Sequence, residues 1–541
     1  MYVWQFGING RVFIGRTWRQ FRTFINTLCN ELPVSDDLRL LVYVHSLSYD
    51  FQFMRRWFKW TKVFAIKNRV PIYAVMDLGI EFRCSYLLSG YSLDNLGKHL
   101  TRYPVEKRTG DLDYSKIRNW KTPLTETEYG YCINDVLVIM AYIQEQMETE
   151  GSISKIPLTK TGYVRRFCKH ETVQRNKNDW IKSLRYREQI KDLCLDPDEY
   201  KMLKRAFAGG FTHASAFYSG TDVYDVTSYD FTSSYPYVLV SEQFPMSKGK
   251  RVSIKSKEEF LNYLKYYCCM FDCEFFNIRD SFIYDHYISY SKCIECSNPE
   301  VDNGRIVKAD RIKITLTEQD YAIIRKTYDW DNMTVSNMWV YKKSYLPTDL
   351  VKAILKLYAD KTRLKGVKDS EREGAEAEYL LKKGMVNAVY GMMVTEFIYK
   401  GNDWQSERYP DLSEEIDKYN KSFGRFLFYP WGVWTTCFSR RNLWTGILEF
   451  AEDYVYSDTD SIKGINISKH SEYINNYNKN ALLKLEKACQ HHKIPVELTA
   501  PKTVDGTDKP LGVWDFEGHF QRFRTLGAKR YMVQYDNDEI N

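Results

Sequence analysis

Two acidic segments far apart in the chain constrain its fold more than any other feature. One is Asp230-Phe231-Thr232-Ser233-Ser234-Tyr235-Pro236, and the other is Tyr456-Ser457-Asp458-Thr459-Asp460-Ser461. Carboxylates one residue apart at a tight turn can hold a divalent cation against phosphate. Mg²⁺ takes hard oxygen ligands, so a protein must bring two or three of them together and leave room for phosphate and water. Asp230 at the end of one strand and Asp458 in the turn of a neighbouring hairpin meet that demand, with Asp460 beside them and the Phe231 carbonyl as a further ligand. Asp458-Thr459-Asp460 also opens like an EF-hand loop, but the fifth position is then Ile462 and the twelfth Lys469, which rules against calcium.

Between the two segments, Lys383, Asn387, Tyr390 and Gly391 fall at i, i+4, i+7 and i+8 and share one face of a helix. Leu381, Met385, Ala388, Val389 and Met392 are expected on its core side. The polar face would set an ammonium against a triphosphate and an aromatic plus glycine against a base pair. Taken alone, such a helix is more often a solvated surface; its place between two acidic motifs makes it a nucleotide site. Phosphoryl transfer to a 3′-hydroxyl uses two Mg²⁺ ions roughly 3.5–4 Å apart, with Mn²⁺ as the substitute. Tyr235 would then face the sugar, its ring filling the space of a ribose 2′-hydroxyl.

At 541 residues the chain can bury several cores. Its 77 basic against 70 acidic side chains leave only +7, so a nucleic-acid surface must be a local groove. No run of 18 apolar residues occurs, and the nearest, Phe426 to Phe438, is bracketed by Arg425 and Arg440, so no membrane span is expected. The twelve scattered cysteines and the lack of a secretory leader suggest a cytoplasmic protein. Cys268, Cys269 and Cys273 followed by Cys293 and Cys296 offer a zinc site, against which buried thiols are the plainer reading. Along the chain, Leu40–Val44 reads as a strand, Leu137–Met147 as a helix, and Val223–Pro236 as a strand ending in proline. Residues 247–345 show short β runs and then a helix over Thr317–Thr327; Thr348–Lys365 and Glu371–Met393 read as long helices.

In order, the three motifs resemble those of family B DNA polymerases, and the likeness over nearly the whole chain is greatest to the protein-primed enzymes of phages and linear plasmids. Phe207-Ala208-Gly209-Gly210 resembles the family's Tyr-x-Gly-Gly/Ala DNA-binding motif, with Phe for Tyr. Thr436 to Arg440 is similar to its template-contacting Thr-x3-Arg segment, and Lys529-Arg530-Tyr531 to its primer-supporting Lys-x-Tyr. The resemblance implies an α/β (α+β) chain with a ribonuclease-H-like exonuclease domain followed by a right-hand palm and fingers. The implied divisions are an exonuclease-like domain at 1–150, a basic connection at 151–205, palm at 206–246, and an insertion of the terminal-protein type at 247–345. Fingers follow at 346–394, a second insertion at 395–423 and the rest of the palm at 424–541. The implied partners of a monomeric enzyme are a DNA primer-template, dNTPs and a terminal protein.

Within the exonuclease-like part, Asp50 in His45 to Phe51 resembles the second acidic motif, with Ser46 in place of Asn. Tyr131 and Asp135 fit the third, Tyr-x3-Asp. The first, Asp-x-Glu, would precede residue 1, so proofreading is expected to be lost unless Asp111 or Asp113 replaces it. The few residues after Tyr531 are short of a thumb, and the sequence reads as truncated at both ends. The rival readings are a family B polymerase without a protein primer and a non-catalytic DNA-binding remnant.

Overall fold

The computed structural model describes residues 2–67, 69–108, 113, 115–173, 180–368, 370–371, 375–396, 401–403, 406–408, 411–535 and 539–540. The chain forms two compact units: Met1–Arg166 with Val367–Leu381 and Ile398–Asp411, and Phe167–Gly366 with Lys382–Phe397 and Leu412–Asn541.

The first unit carries an antiparallel hairpin, Trp4–Ile8 with Arg11–Gly15, and a four-stranded sheet. In that sheet Leu40–Val44 runs parallel to Ile80–Cys84, which continues antiparallel to Val70–Met76 and Trp60–Lys67. Helix Trp18–Glu31 starts at a capping box in which Thr17 and Gln20 satisfy each other's backbone N–H. It packs Phe21 and Ile25 into a core with Phe51 and Phe82. The helix expected at Leu137–Met147 extends over Glu126–Glu150, because Thr125 and Glu128 form a second capping box and Gly151, at φ 75°, ends it.

The second unit is built on two antiparallel sheets. One has six strands in the order Tyr531–Gln534, Trp514–Thr525, Asp222–Phe231, Ser461–Gly464, Tyr454–Asp458, Thr212–Ala214. The other spans the 247–345 region, where strands Tyr267–Asp280, Arg305–Thr317 and Asn332–Ser344 replace the short runs expected there. Cys268, Cys269 and Cys273 lie buried on the first of these, where burial pushes each thiol up and disfavours the thiolate a zinc ion needs. Cys293 and Cys296 sit on a separate strand of that sheet, and among the described residues no three metal-ligating side chains gather. Helix Tyr429–Phe450 is buried on nearly every side, with Trp431, Trp434 and Trp444 fully enclosed, which accounts for the apolar run that opens it. No described helix is long and apolar enough to cross a membrane.

Two local expectations change. The strand expected to end at Pro236 ends at Phe231, and helix Ser234–Ser241 takes Pro236 in its first turn, where a missing N–H costs nothing. On helix Ala375–Met393 the buried stripe is Val386, Val389, Met392 and Met393, while Leu381 is 39 % exposed and Met385 and Ala388 are half-buried. The apolar face is led by Val386 rather than Met385, one residue later than the spacing suggested.

Candidate active site

The central strands of the six-stranded sheet bring the two acidic segments together. Ser461 pairs with Asp230 across the ladder, and the Phe231 N–H donates to the Asp460 carbonyl at 2.8 Å. Asp458 and Ser461 flank a two-residue loop, Thr459-Asp460, with Thr459 held at φ 58°. A β-branched residue adopts that conformation only where its surroundings impose it. Two contacts do so here: the Thr459 N–H donates to the Phe211 carbonyl at 2.7 Å, and Gly210 lies against the Thr459 side chain. A Cβ at Gly210 would meet Thr459 Cγ2 at 2.7 Å, whereas one at Gly209 would meet nothing. The paired glycines therefore differ: Gly210 makes room for the acidic turn, and Gly209 faces open space.

Asp230 feels the charge of Asp460, and Asp460 that of Asp458. Burial raises the Asp230 carboxyl well above the usual range, followed by the charges of Asp460 and Glu517, while Lys383 and Lys463 oppose the shift. Asp460 is raised by burial and then by Asp458, with Lys383 again opposing. One oxygen of Asp230 is buried without any hydrogen-bond donor. Asp458, expected from sequence as a metal ligand, accepts from the Thr212 hydroxyl at 2.8 Å and lies 3.6 Å from Lys529 Nζ. The charge that most raises Asp230 is thus that of Asp460. A cation fits between two crowded carboxylates of which one has an oxygen free of donors. Since no three ligating side chains gather among the described residues, its shell must be completed by the Phe231 carbonyl, water and substrate oxygens.

Around this pair stand the nucleotide-site candidates. Lys383 and Asn387 are exposed, and Tyr390 and Gly391 half-buried, on helix Ala375–Met393. The Tyr390 ring lies 4.0 Å from that of Tyr235, which is 8 % exposed, so the residue expected to face a sugar is covered by its aromatic neighbour in this state. Lys529 and Tyr531 adjoin the acidic turn: the Lys529 N–H donates to the Tyr456 hydroxyl at 2.9 Å, and the Tyr531 and Tyr456 rings are 5.2 Å apart.

Thr436 and Arg440, expected to contact the template, are both buried. Thr436 is fully buried and donates to the Val433 carbonyl at 3.0 Å. Arg440, 4 % exposed, pairs with Asp320 at 2.7 Å and donates to the carbonyls of Ala208 and Gly209 at 2.6 and 2.8 Å. Its role is to tie the Phe207–Gly210 segment to the core. Phe207 itself caps helix Pro197–Ala206, its N–H donating to the Leu203 carbonyl.

Two side chains not singled out in the sequence join the site. Lys361 donates to the Ser233 hydroxyl at 3.0 Å, and burial, then Lys365 and Lys383, pull it down to about 8. Glu517 accepts from Ser228 at 2.7 Å and acts on both Asp230 and Asp460. Neither belongs to a local motif, and only the fold discloses them.

In the first unit, Lys107 occupies the exonuclease-like residues. It pairs with Asp135 at 2.7 Å, donates to the Tyr131 hydroxyl at 2.9 Å and lies 4.1 Å from that ring's centre. Asp50, in helix Leu47–Met54, is pushed up to about 6 by burial. The Trp4–Gly15 hairpin carries no carboxylate. Asp113 is exposed and bound by the Ser115 hydroxyl at 2.6 Å; Asp111 lies outside the described residues.

The sequence profile of DNA polymerase type B, organellar and viral, matches residues 101–400. The chain belongs to that family. It is a DNA-directed DNA polymerase, and a divalent metal belongs to its chemistry. The chain is 22 % identical to the DNA polymerase of Bacillus phage phi29 over 581 residues, covering all of this chain and 85 % of that one. With the DNA polymerase of Bacillus phage B103 it shares 22 % over 530 residues, covering 92 % and 79 %. Among solved structures, phi29 DNA polymerase complexed with primer-template DNA aligns with a TM-score of 0.68 at 17 % identity, over 98 % of this polymerase and 84 % of that chain. The phi29 ternary complex with incoming nucleotides aligns at 0.63 and 18 %, over 97 % and 82 %.

Proposed function

We propose that this polymerase extends a primer 3′-hydroxyl along a DNA template, with Asp230 and Asp460 as the principal metal-binding carboxylates and Asp458 supporting the turn. The observation that carries this reading is the pairing of Asp230 with Ser461, which sets Asp460 in the adjoining turn with its carbonyl bonded to the Phe231 N–H, while one Asp230 carboxylate oxygen is buried without a donor. Two Mg²⁺ ions, when bound, would activate the attacking oxygen and neutralise the triphosphate. Lys383 and Lys361 supply positive charge for the phosphates as point charges, and the burial of Lys361 sharpens its effect. Tyr235 and Tyr390 form the wall against which sugar and base are read, and Lys529 with Tyr531 supports the primer end beside Asp458. The polymerase domains divide as palm at 206–246 and 424–541 and fingers at 346–394, with the sheet of 247–345 as the insertion that meets a priming protein and 395–423 as the second. Kinship with phage polymerases supports protein priming, monomeric action and a place in the host cytoplasm.

The test is extension of a primed template by Asp460→Asn and Asp230→Asn, with DNA affinity measured in parallel. Both variants should lose at least about a thousandfold in rate while binding DNA within about threefold, since a metal ligand acts mainly in the transition state. Extension near wild type by Asp460→Asn would remove Asp460 from the metal site. Protein priming is tested separately, by whether a dNMP–protein adduct forms when no DNA primer is present.

A further inference from the structure

The first unit contains a cleft of about 530 Å³ whose lining combines three arginines with three tryptophans and no acid. It lies between helix Trp18–Glu31, the turn after helix Leu47–Met54 and the loop around Trp120. Arg16 is structural: its guanidinium donates to the carbonyls of Tyr2, Asn119 and Thr122, which fixes the loop bearing Trp120. Arg19 and Arg22 are different. They stand one helical turn apart on the exposed face, and neither makes an ion pair among the described residues. The Trp18 and Trp57 rings stack at 5.3 Å and 15°. Trp57 is nevertheless 43 % exposed and Trp120 54 %, with Lys121 Nζ 5.1 Å from the Trp120 ring.

Aromatics that merely seal a core edge are covered, as Phe21 and Phe51 are at 7 % and 3 %. Surface arginines on an ordinary solvated face are usually interleaved with acids, and none lines this cleft. Open indole faces beside unpaired guanidinium groups are what a single strand of nucleic acid needs, because every base offers a π-face and every linkage a phosphate. A duplex hides its base faces, and an acidic peptide would use the charges but leave the indoles idle. The volume falls in the range of sites that enclose a nucleotide-sized group.

We propose that this cleft is a binding site for single-stranded DNA, in which a base stacks on Trp57 or Trp120 and the flanking phosphates meet Arg19 and Arg22. Asp50 and Asp135 are not among its lining residues, so the site holds a strand without cutting it. The proposal is independent of how the palm carboxylates bind metal.

The experiment uses the full chain, in EDTA, with a short iodouridine-substituted oligothymidylate, photocrosslinking and peptide mapping. Adducts are expected on Trp57 or Trp120. Arg19→Glu/Arg22→Glu should lower their yield at least about tenfold, and Arg19→Gln/Arg22→Gln by less, with a log–log salt slope shallower by about 1.4, or 0.7 per phosphate. Both variants should melt like wild type and extend a primed template within about twofold, which separates this claim from the polymerase reading. Adducts confined to other residues, yields unchanged by both arginine variants, or equal yields from the corresponding duplex would each overturn it. Protection by free thymidylate as effective as by the unlabelled strand would also overturn it, by showing a mononucleotide site.

Discussion

Arg440→Met is the substitution that most sharply separates a structural from a DNA-contacting arginine. In the wild type, Asp320 is buried, accepts from Arg440 Nη2 at 2.7 Å and Nε at 3.1 Å, and also accepts from Thr317 at 2.8 Å and from Tyr287. Methionine fills part of the arginine volume but leaves the carboxylate without a counter-charge. Breaking a buried pair from one side costs about 3–5 kcal/mol, and the surviving Thr317 and Tyr287 donors favour the lower figure. The Ala208 and Gly209 carbonyls also lose their donor, adding about 1 kcal/mol each. A total of about 5 kcal/mol is a large fraction of a typical domain stability of about 5–15 kcal/mol. The assay is urea denaturation of wild type, Arg440→Met, Asp320→Asn and the double variant, followed by tryptophan fluorescence. The cycle should return a coupling of about 2–3 kcal/mol, because once Asp320 is neutral the arginine has less to compensate. Its sign with pH follows from Arg440 holding Asp320 below the usual carboxylate range. That contribution is present above the unfolded carboxylate pKa and lost as pH falls, so the gap between wild type and Arg440→Met should narrow in acid. A loss under about 1 kcal/mol, together with a tenfold fall in template affinity, would refute the reasoning.

Gly210→Ala should lower extension at least about tenfold by displacing Thr459, whereas Gly209→Ala should stay within about threefold; equal losses would remove the close-approach argument. Tyr235→Val should raise the use of ribonucleotides relative to dNTPs, and a uniform fall in both would mark Tyr235 as packing only. His492, whose Nδ1 lies 2.9 Å from the Thr348 hydroxyl, is pulled down to about 4 by burial and then by His491. Because the unfolded chain binds that proton near 6.5, stability is full above that value and is lost as pH falls towards 4. After allowance for solvent at the helix end the loss is about 1–2 kcal/mol, which His492→Gln should abolish in urea midpoints taken at neutral and acidic pH.

What could be read from the sequence was local. The turn at Asp458–Asp460 and the shared face of Lys383, Asn387 and Tyr390 follow from spacings of a few residues, and Thr317 announces its helix as a cap. Pro236 misled because proline stops a strand and opens a helix with equal ease. The partnership of Arg440 with Asp320 could not be seen, since nothing near either residue in the chain marks the other. Lys361 was hidden for the same reason: one lysine on an amphipathic helix looks like any other until the strand bearing Asp230 is laid beside it. Where Asp458 and Asp460 fall relative to Asp230 depends on ladder register, and a motif three residues long carries no register.

That register has a mechanical meaning. With Asp230 paired to Ser461 and the Phe231 N–H fixed to the Asp460 carbonyl, the backbone spacing of the two acids is ruled by hydrogen bonds of the main chain rather than by side-chain packing. Such a gap behaves like the pitch of a ratchet. Shifts in the surrounding core can tilt the sheet, but the backbone positions that carry the acids can change partners only if one strand slips by a residue, which would turn every side chain on it to the opposite face. A chain carrying this ladder can therefore vary widely in sequence around the acids while the register that carries them changes in whole steps or not at all.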